Sequence, residues 1–177
     1  MSPPPSADGK HRLLLVEDGA AEVQIIQRAL RSLGRDAGVR ILRDGQEAVD
    51  FLLGKGRFAG PDGKPPADLV LLDLHMPRLD GIGVLTQVRA HARLKTLPMV
   101  VWSTSCEIKD IQAAYAAGAN SYIEKPHDYE RLRGVLESVL RYWLDTAWLP
   151  LTPLSRHGAR KKSGGAGGGE KGEGHDL

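Results

Sequence analysis

From its amino end the chain alternates short runs of consecutive apolar residues with longer stretches in which apolar positions recur every three or four residues. RLLLV at 12–16, DLVLL at 68–72 and PMVVW at 98–102 carry no polar alternation, the pattern of strands covered on both faces. These three are predicted to be central strands. VRIL at 39–42 and NSYI at 120–123 complete the set, with VRIL nearer the periphery. Five helical patterns lie between and after them. Residues 20–33 set Val23, Ile26, Leu30 and Leu33 three and four apart and stop at Gly34. Asp44 opens the second, with Glu47 as partner in a capping-box-like pair, and Gly54 closes it. Asp80 caps a third carrying Ile82, Leu85 and Val88. Thr104 and Glu107 match the S/T-x-x-E box for opening a fourth, which ends at Gly118. Asp128 caps the fifth, where Leu132, Val135, Leu136, Val139, Leu140, Trp143 and Leu144 form a broad apolar face.

Strand and helix thus alternate five times. With right-handed crossovers this predicts an α/β fold, a flavodoxin-like (βα)5 doubly wound parallel five-stranded sheet. Ligands of such sheets bind beyond the carboxyl ends of the strands, so candidate chemistry is sought there.

Length and composition narrow the picture. At 177 residues the chain supports one domain. Its single cysteine, Cys106, excludes an intramolecular disulfide or a Cys-based zinc module and is read as inert packing or an ordinary surface residue. No apolar run approaches the roughly 18 residues of a membrane span, and the Pro-rich start lacks a leader pattern, so the expected setting is cytoplasmic, with no membrane partner. The formal charge is +2, but five basic against three acidic residues in 155–177 account for all of it. The body is neutral, which gives no support for a nucleic-acid partner. Eight of the 21 glycines fall from Gly158 onward. Residues 1–10 are therefore expected to be a disordered N-terminal segment, 11–145 the domain, and 146–177 an extension followed by a Gly-rich disordered tail.

The strand ends hold Glu17 and Asp18 after the first, Asp73 after the third, Ser103 and Thr104 after the fourth, and Lys125 after the fifth. Each has an ordinary structural explanation, as a helix cap or a solvated residue; together they converge on one crevice. Three carboxylates there repel unless a cation joins them, and oxygen donors favour a hard ion such as Mg2+. Asp73 is then placed to act as a carboxylate nucleophile forming an acyl phosphate, with Lys125 and the Ser103 hydroxyl facing the phosphoryl oxygens.

VEDG at 16–19, LLDLHMPRLDGIGVL at 71–85, MVVWSTS at 99–105 and YIEKP at 122–126 resemble the receiver domain of two-component response regulators over about residues 11–145. The resemblance implies that Asp73 is the phosphoacceptor and that Glu17, Asp18, Asp73 and the main-chain carbonyl of His75 hold Mg2+. It also implies that Ser103, Thr104 and Lys125 contact the phosphoryl group, and that Ser103 and Tyr122 form the switch. Thr104 is bulkier than the residue often found there and is expected to slow attack by water. The His75 ring is expected to matter less than its backbone, though it can alter water access.

The long Gly- and Pro-rich connection at 54–66 and the ending RYWLDTAWLP at 141–150 are similar to single-domain regulators paired with phytochrome kinases. A sensor histidine kinase, of phytochrome type, is the implied partner. The implied chemistry is self-phosphorylation and autophosphatase activity only, rather than that of an enzyme. With no effector domain expected after Pro150, output is assigned to protein association or phosphate relay. Tyr142, Trp143, Trp148 and Leu149 either fold back on the domain or form a homodimer interface with helix 4, strand 5 and helix 5; the dimer is the favoured reading. Two other classes remain open: a receiver-like binding module that is not phosphorylated, and a Mg2+-dependent phosphatase acting on small substrates.

Overall fold

The computed structural model describes residues 12–59 and 67–150, so the calls on the two termini and on part of the 54–66 connection lie outside the described residues. Five strands form one parallel sheet: β1 (Leu13–Val16), β2 (Val39–Leu42), β3 (Leu69–Leu72), β4 (Met99–Ser103) and β5 (Ser121–Glu124), in the order β2-β1-β3-β4-β5. The helices are α1 (Ala20–Ser32), α2 (Gly45–Leu53), α3 (Gly81–Ala90), α4 (Ile108–Ala116) and α5 (Tyr129–Leu140). This is the doubly wound, flavodoxin-like arrangement expected from the pattern.

The unbroken apolar runs reflect burial on both faces. Leu14, Val16, Val70, Leu72, Met99 and Val101 point to the side covered by α2, α3 and α4. Their alternates Leu13, Leu15, Leu69, Leu71, Val100 and Trp102 point to the side covered by α1 and α5. A buried leucine contributes about 1.5–3 kcal/mol, so a polar substitution at either parity in β1, β3 or β4 opens one core or the other. The register is pinned where β1 and β3 begin. Asp68, buried, accepts the Arg12 main-chain N–H at 2.8 Å and its guanidinium at 2.9 Å.

Three helices start at the expected caps. Asp44, Asp80 and Asp128 accept the main-chain N–H of Glu47, Gly83 and Arg131, at 2.9, 2.8 and 2.8 Å. Only half of the box at α2 forms, since the Glu47 carboxylate turns to Arg57. The Thr104–Glu107 box does not open α4. That helix begins at Ile108 with Glu107 at its cap position and no side-chain cap. Ser105 turns the loop instead: its hydroxyl accepts the Glu107 N–H at 3.3 Å and donates to Asp110 at 2.6 Å. The local competition of short polar side chains for main-chain groups decided this.

α5 runs on into a π-helical turn, Arg141–Thr146. Leu144 is buried, and Trp143 and Leu149 pack against the core shared by α1 and α5. Arg35 clamps the turn through Asp145. Tyr142 and Trp148 remain 56% exposed each. The expected interface set is thus divided, two residues folded back and two facing solvent.

Candidate functional site

Ladder hydrogen bonds continue one residue past three strands and fix the groups that follow. The Glu17 N–H donates to Leu42 O at 3.0 Å, the Asp73 N–H to Val16 O at 2.9 Å and the Lys125 N–H to Ser103 O at 2.7 Å. The backbone of each is therefore held as firmly as the sheet, while each side chain stands at the carboxyl end of the strands. Gly81 allows a further close approach: a Cβ there would lie 2.5 Å from Asp73 O and 2.9 Å from Leu74 Cα. The glycine lets α3 press its first turn against the Asp73 backbone.

Glu17, Asp18 and Asp73 bring carboxylate oxygens within 4.8 Å of one another. Glu17 and Asp73 are buried and Asp18 is more open to solvent. The Lys125 ammonium, also buried, donates to Glu17 Oε2 at 2.6 Å and to Asp73 Oδ1 at 2.7 Å. Burial pushes the Glu17 carboxyl above its usual range, against the lowering effect of Lys125. Burial also pulls the Lys125 ammonium down, but hydrogen bonds and charge attraction from Asp73 and Glu17 more than offset it, and its pKa stands raised. One ammonium faces three carboxylates, so the site is short of positive charge and built of hard oxygen donors. That donor set fits Mg2+, which typically takes one or two carboxylates and fills its shell with water and phosphate oxygens.

Ser103 is fully buried at the end of β4 and its Oγ accepts the Ser105 N–H at 3.2 Å; Thr104 beside it is exposed. Tyr122 is half-buried on β5, and its hydroxyl donates to Ser105 O at 2.9 Å. Glu17, Asp18, Asp73 and Lys125 thus meet in one cluster. Ser103 and Thr104 stand on the next strand end, and Tyr122 reaches their loop from the far side. Tyr142, Trp143, Trp148 and Leu149 are not part of the crevice. α5 runs against the strand direction, so its carboxyl end lies at the opposite end of the sheet. Cys106 is exposed.

One feature was invisible in the linear pattern. The His75 ring turns toward α4, with Nε2 3.3 Å from Asp110 Oδ2, the carboxylate that also accepts from Ser105. The Ser105 hydrogen bond, chiefly, and the proximity of His75 and Lys109 hold Asp110 below its usual range. His75, Ser105 and Asp110 belong to different loops and a helix, and no spacing rule joins them.

Comparison with known proteins agrees with this geometry. Rcp1 of Synechocystis, a response regulator, is 35% identical over 138 residues, 78% of this chain and 92% of that protein. The phosphorylated cyanobacterial phytochrome response regulator RcpA superposes with a TM-score of 0.73 at 36% identity, covering 80% of this chain and 99% of that one. The Mn2+-bound form of Rcp1 gives 0.70 at 34% identity, with 79% and 99% covered. The response regulator receiver domain model matches residues 13–137, and with the acidic cluster and lysine at the ends of its parallel strands, this chain belongs to that family.

Proposed function

We propose that this protein is a phosphorylation switch in which Asp73 accepts a phosphoryl group from a sensor histidine kinase, and that the kinase is a phytochrome. The observation that carries the reading is the buried bridge from Lys125 to Asp73 and Glu17 inside a three-carboxylate cluster. The pairing with a phytochrome is supported by the likeness to RcpA and Rcp1.

In the proposed reaction an Asp73 carboxylate oxygen attacks phosphorus, the bond from phosphorus to the histidine nitrogen breaks, and the nitrogen keeps the electron pair. Glu17, Asp18, Asp73 and the His75 main-chain carbonyl would hold Mg2+, which when bound would neutralise charge on the incoming phosphoryl group. Lys125 exchanges its bond to the Asp73 carboxylate for one to a phosphoryl oxygen. The Ser103 hydroxyl donates to another, which frees the Ser105 N–H it had accepted. The loop carrying Ser105 then shifts, and Tyr122, bonded to Ser105 O, carries the change to the surface of α4, β5 and α5. Water resets the state by attacking phosphorus, the phosphorus–oxygen bond to Asp73 breaks, the carboxylate keeps the electron pair and inorganic phosphate leaves, with Thr104 narrowing the water's approach. Output is homodimerisation through that surface and the exposed Tyr142 and Trp148. The protein is cytoplasmic, has no nucleic-acid ligand, and carries no chemistry beyond its own phosphorylation and dephosphorylation.

Incubation with acetyl phosphate and Mg2+ tests the core of the proposal. A mass gain of about 80 Da, lost in Asp73→Asn and in EDTA, is expected. No gain leaves a non-phosphorylated binding module, and steady turnover of many phosphomonoesters a phosphatase. Phosphotransfer from purified kinases of several classes tests the pairing separately.

A further inference from the structure

The geometry points to a second binding site, an open groove along the free edge of β2 that takes an extended acidic segment of a partner protein by strand addition. Among the described residues no strand pairs with the outer edge of β2, which ends the sheet. Gly38 O and Leu42 O accept from Leu13 and Glu17, so alternation turns the Val39 C=O and both main-chain groups of Ile41 outward. A groove of about 670 Å3 runs over this edge, with Val23 and Gln27 of α1 on one flank and Arg57 and Phe58, after α2, on the other.

Its charge selects the occupant. Arg40, Arg43 and Arg57 line it with one acid, Glu47, which pairs with Arg57, so the surplus of positive charge rests on Arg40 and Arg43. Arg40 lies over the Phe51 ring at 4.9 Å and Arg57 over the Phe58 ring at 4.8 Å, so two guanidiniums are already oriented. Among the described residues Arg43 has no charge partner. Charges on an edge strand ordinarily oppose pairing. Here Arg40 on the strand and Arg43 just after it have one sign, which repels the same edge of a second copy and attracts a strand of opposite sign. Main-chain bonds to Ile41 supply affinity and the arginines supply selection. The site is separate from the phosphorylation crevice and does not depend on its chemistry.

The probe is a fluorescein-labelled peptide of alternating glutamate and valine, titrated into the full-length protein and followed by anisotropy. Binding at least tenfold tighter than that of the glutamine counterpart is expected, weakening with salt. Arg43→Glu and Arg57→Glu should each lose fivefold or more while still gaining phosphate from acetyl phosphate, which shows that they fold. N-methylation of alternate peptide amides should abolish binding, and the bound peptide should protect the Ile41 amide from hydrogen exchange. The proposal fails if the peptide does not bind at millimolar protein, if the arginine variants bind like wild type, or if N-methylation has no effect. Full competition by inorganic phosphate at matched ionic strength, with N-methylation harmless, would make the groove a simple anion site and overturn strand addition.

Discussion

Lys125 serves two buried carboxylates with one ammonium, and the shortage of positive charge sets the behaviour of each residue around it. Glu17 has a raised folded pKa. Its contribution to stability is therefore fully present below 4.5, the unperturbed value, and lost as pH rises through the folded value. Lys125, also raised, keeps its contribution through neutral pH and loses it only above 10.5. In EDTA, thermal melts of Glu17→Gln against wild type should show a difference that grows in favour of the variant from pH 4.5 to neutrality. Mg2+ should then stabilise wild type and leave the variant nearly unmoved. Lys125→Met retains the apolar stem but strands two buried carboxylates, and metal-free stability at neutral pH should fall by about 3–5 kcal/mol. Chemical denaturation with and without Mg2+ checks this; a loss unchanged by Mg2+ would separate the lysine from the cation site.

At the scale of elements, strands and caps were legible because each depends on a few adjacent residues. The asparagine-free caps Asp44, Asp80 and Asp128 and the stop at Gly54, which has φ of 64°, are local geometry. The start of α4 was misread for the opposite reason. Thr104 and Glu107 have the right spacing, but Ser105 reaches Asp110, and Asp110 is also met by His75 from another loop. Glycine makes a similar division. Gly134 has no heavy atom within 4 Å of an added Cβ, so Gly134→Ala should raise stability by about 0.5–1 kcal/mol through helix propensity alone. Gly81→Ala places a methyl against Asp73 O, where only backbone can yield. It should lower both stability and the rate of labelling by acetyl phosphate, and unaltered labelling would show that α3 does not position the acceptor.

For the whole molecule, the end of the chain separates packing from association. Trp143, partly buried, packs against the core of α1 and α5, so Trp143→Ala should cost about 1–3 kcal/mol in stability. Tyr142 and Trp148 are 56% exposed, and truncating both to alanine should cost only about 0.5–1.5 kcal/mol, from the edge-to-face contact of Tyr142 with the Trp143 ring. If they form the dimer surface, the same double variant should sediment as a monomer at tens of micromolar where wild type is dimeric. A wild type that is monomeric with and without a phosphoryl mimic removes the homodimer from the proposal.

The sequence by itself determined the five βα units, the sheet class, the caps of α2, α3 and α5 and the convergence of Glu17, Asp18, Asp73 and Lys125, with Ser103 at the next strand end. Those follow from periodicity and from the rule that parallel strands end together on one side. Only the tertiary structure decided how one lysine is shared between Glu17 and Asp73, where the His75 ring turns, which aromatic residues of the last turn are covered, and that Arg57 joins Arg40 and Arg43 in the groove beside β2. Each joins groups far apart in the chain, and such contacts are set by the packing of whole elements rather than by the residues between them.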